Sequence, residues 1–316
     1  MIVTVTLNAA LDRTLSVPNF QQGHRHRASQ GLTLAGGKGL NVARALKRLD
    51  VPVVATGLAG GRTGTRIVEE LTSEAILNDF VRIADESRTS TAVVDPMGNS
   101  FTEINEWGPH VEPEELEMLR DKLRYLSRGA DAVVFAGSLP RGVAESFYAE
   151  AIRELNRTGV RTVLDADGEP LRLGLEAEPS LVAPNQHEAE ALVGQELEDE
   201  DFAMALDSIA ELGARTVLIT LETGCYGLNR EERPSRRFHA VAPQVEPVST
   251  VGAGDVLTAA FLAAQLEERS FGDALKYSVA AASASTLEVG AGRFEPREAN
   301  RLTGQVEVSE LEPVQS

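Results

Sequence analysis

The chain has 316 residues, a formal net charge of −18 at pH 7, 42 % apolar residues and a single cysteine, Cys225. So acidic a surface repels nucleic-acid phosphates and anionic lipid, so neither is expected as a partner. One cysteine excludes an internal disulfide framework and a cysteine zinc site and fits a cytoplasmic protein, no 18-residue apolar run exists to span a membrane, and the length suits one large domain, read as residues 1–304 with an acidic tail over 305–316 expected to fray.

Met1–Leu7 is apolar without a basic start, which predicts a buried strand rather than a signal peptide. Residues 12–34 and 91–105 alternate apolar and polar without helical spacing, and Pro96-Met97-Gly98-Asn99 inside the second reads as a hairpin turn. Together, over about 12–35 and 91–107, they predict a small antiparallel β lid standing off the main domain. Leu40, Ala43, Leu46 and Leu49 give Lys38–Leu49 a helical period, and Val51–Leu58 and Thr65–Leu71 read as strand and helix. Pro113 and Glu114 open a helix to about Ser127. Ala132–Ala136, Val160–Asp165, Leu181–Ala183 and Thr216–Leu221 read as strands, with helices over Glu145–Thr158 and Asp201–Leu212 between them. Two alanine-rich helices, about Ala253–Glu268 and Phe271–Leu287, complete the pattern. Such alternation predicts an α/β fold with a mostly parallel central sheet covered by helices on both faces.

Ligands of such sheets bind outside the carboxyl ends of the strands. Four polar clusters follow strands here: Asn8 to Asp12, Gly137-Ser138-Leu139-Pro140, Asp165-Ala166-Asp167 and Pro184-Asn185. Two glycine clusters join them. Gly36-Gly37-Lys38-Gly39 opens a helix carrying Asn41, and its spacing is not that of a Walker loop. Gly252-Ala253-Gly254-Asp255 opens the first alanine-rich helix. Glycine turns at helix starts point amides at an anion, and a carboxylate beside them suits a general base for a hydroxyl, a combination that points to phosphoryl transfer. A plain cap with glycine for close packing is the alternative at either turn. A dehydrogenase is excluded because no Gly-x-Gly-x-x-Gly follows the first strand.

Both glycine motifs in this order, with Leu7-Asn8-Ala9-Ala10-Leu11-Asp12, Phe101-Thr102-Glu103-Ile104-Asn105, Gly108-Pro109 and Pro184-Asn185-Gln186-His187-Glu188, resemble the ribokinase-type (PfkB) carbohydrate kinase family. Within it the chain is most similar to the phosphosugar kinases of the 1-phosphofructokinase and tagatose-6-phosphate kinase type. The resemblance spans residues 1 to about 293. It implies a ribokinase-like fold, a homodimer through the lid, ATP and Mg²⁺ as cofactors, and phosphorylation of fructose 1-phosphate, with tagatose 6-phosphate or fructose 6-phosphate as alternatives. A non-catalytic sugar-phosphate-binding protein is the reading from another class; the intact base and glycine turn argue against it.

Carried over by position, Asp255 would be the base and the amides of Gly252, Ala253 and Gly254 the anion hole. Asp12, Gly36, Gly37, Lys38, Asn41 and Glu103 would hold the sugar, and Ser138, Arg88 and Arg27 its phosphate. Asn185 and Glu188 would act on Mg²⁺ through water; a helix cap explains the same pair structurally. Thr220, Glu222 and Gly224 would meet the nucleotide. Ala282 and Ser285 lie on a flat helix face that suits a purine or close packing on the sheet. Gly290-Ala291-Gly292 would border a monovalent-cation loop. The chain departs from the family pattern at Ala183, where lysine is usual, and at Glu222 and Cys225, where glycines are usual.

Overall fold

The computed structural model describes residues 1–98 and 100–312, so Asn99 of the expected turn and the last four residues of the tail lie outside the described residues. In chain order β1 (Ile2–Thr6) is followed by β2 (Ala10–Ser16), β3 (Gln30–Gly36) and α1 (Lys38–Arg48). Then come β4 (Val53–Gly60), α2 (Gly61–Ser73) and β5 (Leu77–Ile83), and a second excursion, β6 (Arg88–Asp95) and β7 (Ser100–Asn105). The alternation resumes with α3 (Pro113–Leu126), β8 (Ala132–Ala136), α4 (Phe147–Asn156), β9 (Arg161–Asp165) and α5 (Gly168–Leu175). It runs on through β10 (Leu181–Val182), α6 (Gln186–Val193), α7 (Phe202–Glu211) and β11 (Thr216–Leu221). The chain then forms β12 (Gly224–Asn229), β13 (Arg236–Val241), α8 (Ala253–Leu266), α9 (Phe271–Ser285), α10 (Pro296–Thr303) and β14 (Glu307–Leu311).

Ten strands form one sheet in the order β14-β13-β12-β11-β10-β9-β8-β1-β4-β5. Every pair from β11 to β5 is parallel, and the three pairs from β11 to β14 are antiparallel. Strand pleating sends alternate side chains to opposite faces. Ile2 therefore joins a core with Leu40 and Leu46 of α1, Ile67 of α2, Phe261 of α8 and Leu275 of α9. Val3 and Val5 join the opposite core with Leu119 of α3, Ile152 of α4, Leu171 of α5 and Leu206 of α7. The predicted α/β architecture holds. No helix of the described residues is long and apolar enough to cross a membrane.

The lid is a four-stranded sheet, β3-β2-β6-β7. Its two hairpins, β2–β3 and β6–β7, are antiparallel as expected, and a parallel β2–β6 pair joins them. One expectation is corrected. Residues 307–311 do not fray; as β14 they pair with β13 and close the sheet edge, and Arg236 holds Glu310 through two hydrogen bonds of 2.8 Å. Alternation of small apolar and acidic residues in a solvent-facing edge strand looks like a solvated tail in sequence.

Candidate active site

A cleft of about 800 Å³ lies where the lid overhangs the carboxyl ends of the parallel strands. β1 delivers Asn8, β9 delivers Asp165, and the chain after β10 delivers Asn185, so the sheet's own geometry gathers the polar clusters on one rim. The loop at α1 contributes Gly37, Lys38 and Asn41, and the start of α8 contributes Thr250 to Asp255. From the lid come Asp12, Arg88, Ser90, Glu103 and Asn105.

Gly252 starts α8 at φ 82°, a left-handed conformation that favours glycine, and a Cβ there would collide with Ala291. Its turn leaves the amides of Gly254 and Asp255 without a backbone acceptor among the described residues, whereas Ala253 N–H donates to Thr250 O at 3.3 Å. The free amides sit at the positive end of a 14-residue helix, a place suited to an anion. Asp255, in the first turn, is 5 % exposed. Its Oδ2 accepts from Asn41 Nδ2 at 2.8 Å. Burial, reinforced by the Asp165 carboxylate, pushes its pKa up to about 7, while Lys38 and the Asn41 hydrogen bond oppose the rise. Asp255 is therefore poised to hold or release a proton near neutral pH.

Lys38, at the first position of α1, donates to Asp165 Oδ1 at 2.7 Å and to Glu188 Oε1 at 3.4 Å. Burial alone would lower its pKa, but Asp165 and Glu188 outweigh it and keep the ammonium protonated. Asn185 caps α6: its Oδ1 accepts from Glu188 N–H at 2.9 Å, and Glu188 Oε2 accepts from Asn185 N–H at 2.9 Å. This reciprocal capping box is the structural alternative raised by the sequence, and it coexists with a place on the cleft wall. Burial raises the Glu188 pKa, with Lys38 opposing.

On the lid, Asp12, Ser90 and Asn105 are directly opposed in the register of three neighbouring strands. Ser90 Oγ lies 2.5 Å from Asn105 Oδ1 and 3.3 Å from Glu103 Oε1, and its one proton goes to the nearer amide oxygen. Arg88 Nε donates to Asn8 O at 3.1 Å, which ties the lid to the end of β1 and leaves most of the guanidinium donors for the cleft. Burial lifts the Asp12 pKa to about 6 against the pull of Arg88. A Cβ on Gly36 would displace the neighbouring Asp12 carboxylate. Asn8 Nδ2 donates to Ser138 Oγ at 3.1 Å, and Asn8 Oδ1 is buried with no hydrogen-bond partner.

Thr220 also lines the cleft, but Arg27, Gly36, Glu222, Gly224, Ala282 and Ser285 do not. Arg27 is exposed in the loop between β2 and β3. Gly224 is explained by backbone packing, since a Cβ there would strike Ala240 O at φ 148°. Ser285 Oγ donates to Ala282 O at 2.7 Å, so that hydroxyl is spent within its own helix. Of Gly290-Ala291-Gly292, the Ala291 carbonyl accepts from Arg44. Cys225 is buried, and burial pushes its thiol pKa up, so it packs as an inert side chain. Sequence reading put Asn8 and Asp165 on the rim without a role, gave Asn105 only as part of a motif, and passed over Glu106 and Trp107; alternation in β7 was the signal available for a role of Asn105.

A glycine turn with a buried aspartate, at the strand ends of an open α/β sheet under a β lid, defines a ribokinase-like sugar kinase. The chain belongs to the pfkB family of carbohydrate kinases, whose profile matches residues 4–298. It is 31 % identical over 98 % of its length to the 1-phosphofructokinase of Borreliella burgdorferi, 99 % of which is covered. It is 28 % identical to the tagatose-6-phosphate kinase of Staphylococcus epidermidis, over 98 % of this chain and 100 % of that one. A crystal structure of phosphofructokinase-2 from Escherichia coli in complex with fructose-6-phosphate superposes with a TM-score of 0.87 at 29 % identity, covering 96 % of this chain and 98 % of that chain. The resemblance read from the motifs is met, and the protein is a sugar kinase, a phosphotransferase with an alcohol as acceptor.

Proposed function

We propose that the protein phosphorylates fructose 1-phosphate to fructose 1,6-bisphosphate with ATP and Mg²⁺. The observation that carries the chemistry is Asp255, buried beside the unpaired amides of Gly254 and its own residue and held by Asn41. Asp255 takes the proton from the sugar hydroxyl as its oxygen bonds to the γ-phosphorus; the bond to the β-bridging oxygen breaks and ADP leaves. The amides at the start of α8 stabilise charge on the phosphoryl oxygens. Asp12, Asn8 and Asn105 orient the sugar, and Arg88 binds the phosphate that the substrate already carries. That Arg88 lies on the lid supports a phosphorylated substrate, and the names of the relatives support the fructose 1-phosphate type. Tagatose 6-phosphate is the second reading, favoured by the Staphylococcus epidermidis relative.

Asn185 and Glu188 are oxygen donors suited to Mg²⁺, and because the capping box commits Asn185 Oδ1 and Glu188 Oε2 to backbone amides, they would hold the ion through water. Bound there, the ion would neutralise charge on the nucleotide phosphates. Lys38, fixed by Asp165, adds positive charge beside it. A cytoplasmic homodimer through the lid belongs to the same reading, the dimer supported by exposed Ile104 on β7.

A coupled assay of ADP release over fructose 1-phosphate, fructose 6-phosphate, tagatose 6-phosphate and the free hexoses tests the substrate; the highest kcat/KM on another sugar refutes the assignment. Asp255→Asn is expected to lower kcat by roughly 10³-fold or more with the fold retained. Wild-type turnover would remove Asp255 from the mechanism. Arg88→Ala is expected to raise KM for the phosphosugar by about 10-fold or more, with KM for ATP nearly unchanged; an unaltered phosphosugar KM would end that assignment.

A further inference from the structure

Arg44 is 4 % exposed, and its guanidinium makes a hydrogen bond in each of four directions. Nε donates to Glu74 Oε2 at 2.7 Å, Nη2 to Ala35 O at 2.9 Å, and Nη1 to Ala291 O at 3.1 Å and to Asn41 Oδ1 at 3.3 Å. Asn41 and Arg44 stand three residues apart on α1, so they share a helix face. From the far side of Asn41, Nδ2 donates to Asp255 Oδ2.

The chemistry of this chain has one sense only. Arg44 has donors and no acceptor, and an ionised carboxylate has acceptors and no donor. The amide between them must turn its oxygen to Arg44 and its nitrogen to Asp255. Without the guanidinium only the ionised carboxylate itself opposes the reverse orientation, which puts the amide oxygen against the carboxyl and favours the protonated acid. Arg44 also braces the α8 turn by a second route: its bond to Ala291 O fixes the residue that packs on Gly252. Gly292 in turn lies directly against Asn41 O.

We infer that Arg44 is a positioning residue for the kinase reaction, acting through Asn41 to keep an N–H donor on Asp255 so that Asp255 stays ionised and able to accept the substrate proton. This rests on the reading of Asp255 as the base. The groups facing Asp255 besides Asn41 are Lys38 from α1, Asp165 from the end of β9 and Asp12 from the lid; none of them hydrogen-bonds Arg44, although the Arg44 charge also favours the ionised form of Asp12.

The test is the pH profile of kcat/KM for the phosphosugar in wild type, Arg44→Met, Arg44→Lys, Asn41→Ala and the double variant Asn41→Ala/Arg44→Met, with Asp255→Asn as a control. Arg44→Met is expected to move the acid limb up by about one pH unit, so that activity falls about 10-fold at pH 6 and much less on the alkaline plateau. The double variant is expected to shift less than the sum of the two single shifts, since both changes remove the Arg44–Asn41 hydrogen bond while only Arg44→Met also removes the bond to Ala291 O. If Arg44→Met does not fold, Arg44→Lys serves, because a single ammonium cannot hold Glu74, Ala35 and Asn41 together; its limb is expected to shift in the same direction. A limb at the wild-type position in whichever Arg44 variant folds, or additive shifts in the double variant, overturns the inference while an inactive Asp255→Asn keeps the base. An active Asp255→Asn overturns both.

Discussion

At the scale of single residues, the site trades stability for chemistry. Folding raises the pKa of Asp12 to about 6 and of Asp255 to about 7, both from 3.8, and burial is the first cause in each. A carboxyl whose folded pKa is raised favours the fold when protonated. That contribution is complete below about pH 4 and is lost as the pH climbs through 6 and 7. At pH 8 the protein therefore holds buried charge at a cost to its stability. Asp255→Asn, a neutral isostere, is expected to melt higher than wild type at pH 8, with the gap closing towards pH 4; scanning fluorimetry at the two pH values decides it, and an equal or lower Tm at pH 8 contradicts the account. Much of this residue chemistry was legible. Gly252, Gly254 and Asp255 announce themselves because a glycine turn and an early helical acid are local features. The bond from Asn41 to Asp255 was not, since it joins positions 214 apart and the side chain reads as a sugar ligand when taken alone. Arg44 was invisible for the same reason: in sequence it is one basic residue on an amphipathic helix.

At the scale of elements, the parallel strands were legible because continuous apolar runs are what strands buried on both faces require. β12 escaped because Gly224-Cys225-Tyr226-Gly227-Leu228-Asn229 has weak strand propensity, yet all six residues are buried between β11 and β13. Tertiary pairing overrides propensity there. β13 and β14 escaped because they carry charge to solvent, and only their mutual register reveals the match of Arg236 to Glu310. Truncation after Gly304 would uncover the edge of β13. It is expected to lower Tm by about 5 °C or more and to promote association through the open edge, seen as rising light scattering on heating. An unchanged melting curve would show that β14 contributes nothing to stability.

At the scale of the whole molecule, the lid is made of two excursions that leave the main sheet after β1 and after β5 and meet through the β2–β6 pair. The alternation of residues 12–34 and 91–105 made the excursions legible, but not the parallel seam, because nothing local specifies which hairpin edges meet. Trp107, the single tryptophan, is 86 % exposed and lines the cleft beside β7. Closure over bound ligands is expected to bury it and to shift its emission maximum to the blue when phosphosugar and nucleotide are added together, the response tracking the phosphosugar KM. Emission unmoved at saturating ligand would mean that the lid stays as it is. Light scattering of the same sample reports the proposed dimer, which a monomer mass would refute.

The excursions have one more consequence. β2 follows Asn8 by two residues, and β3 ends at Gly36, two residues before Lys38. Both hinges of the first excursion are thus themselves part of the floor it covers. On the proposed reading, a sugar gripped by the floor is expected to stiffen the hinges, and a cover that settles to pull the floor into register. Filling and shutting would then be a single event, and ATP arriving alone is expected to meet an unfinished chamber and to be spared wasteful loss to water.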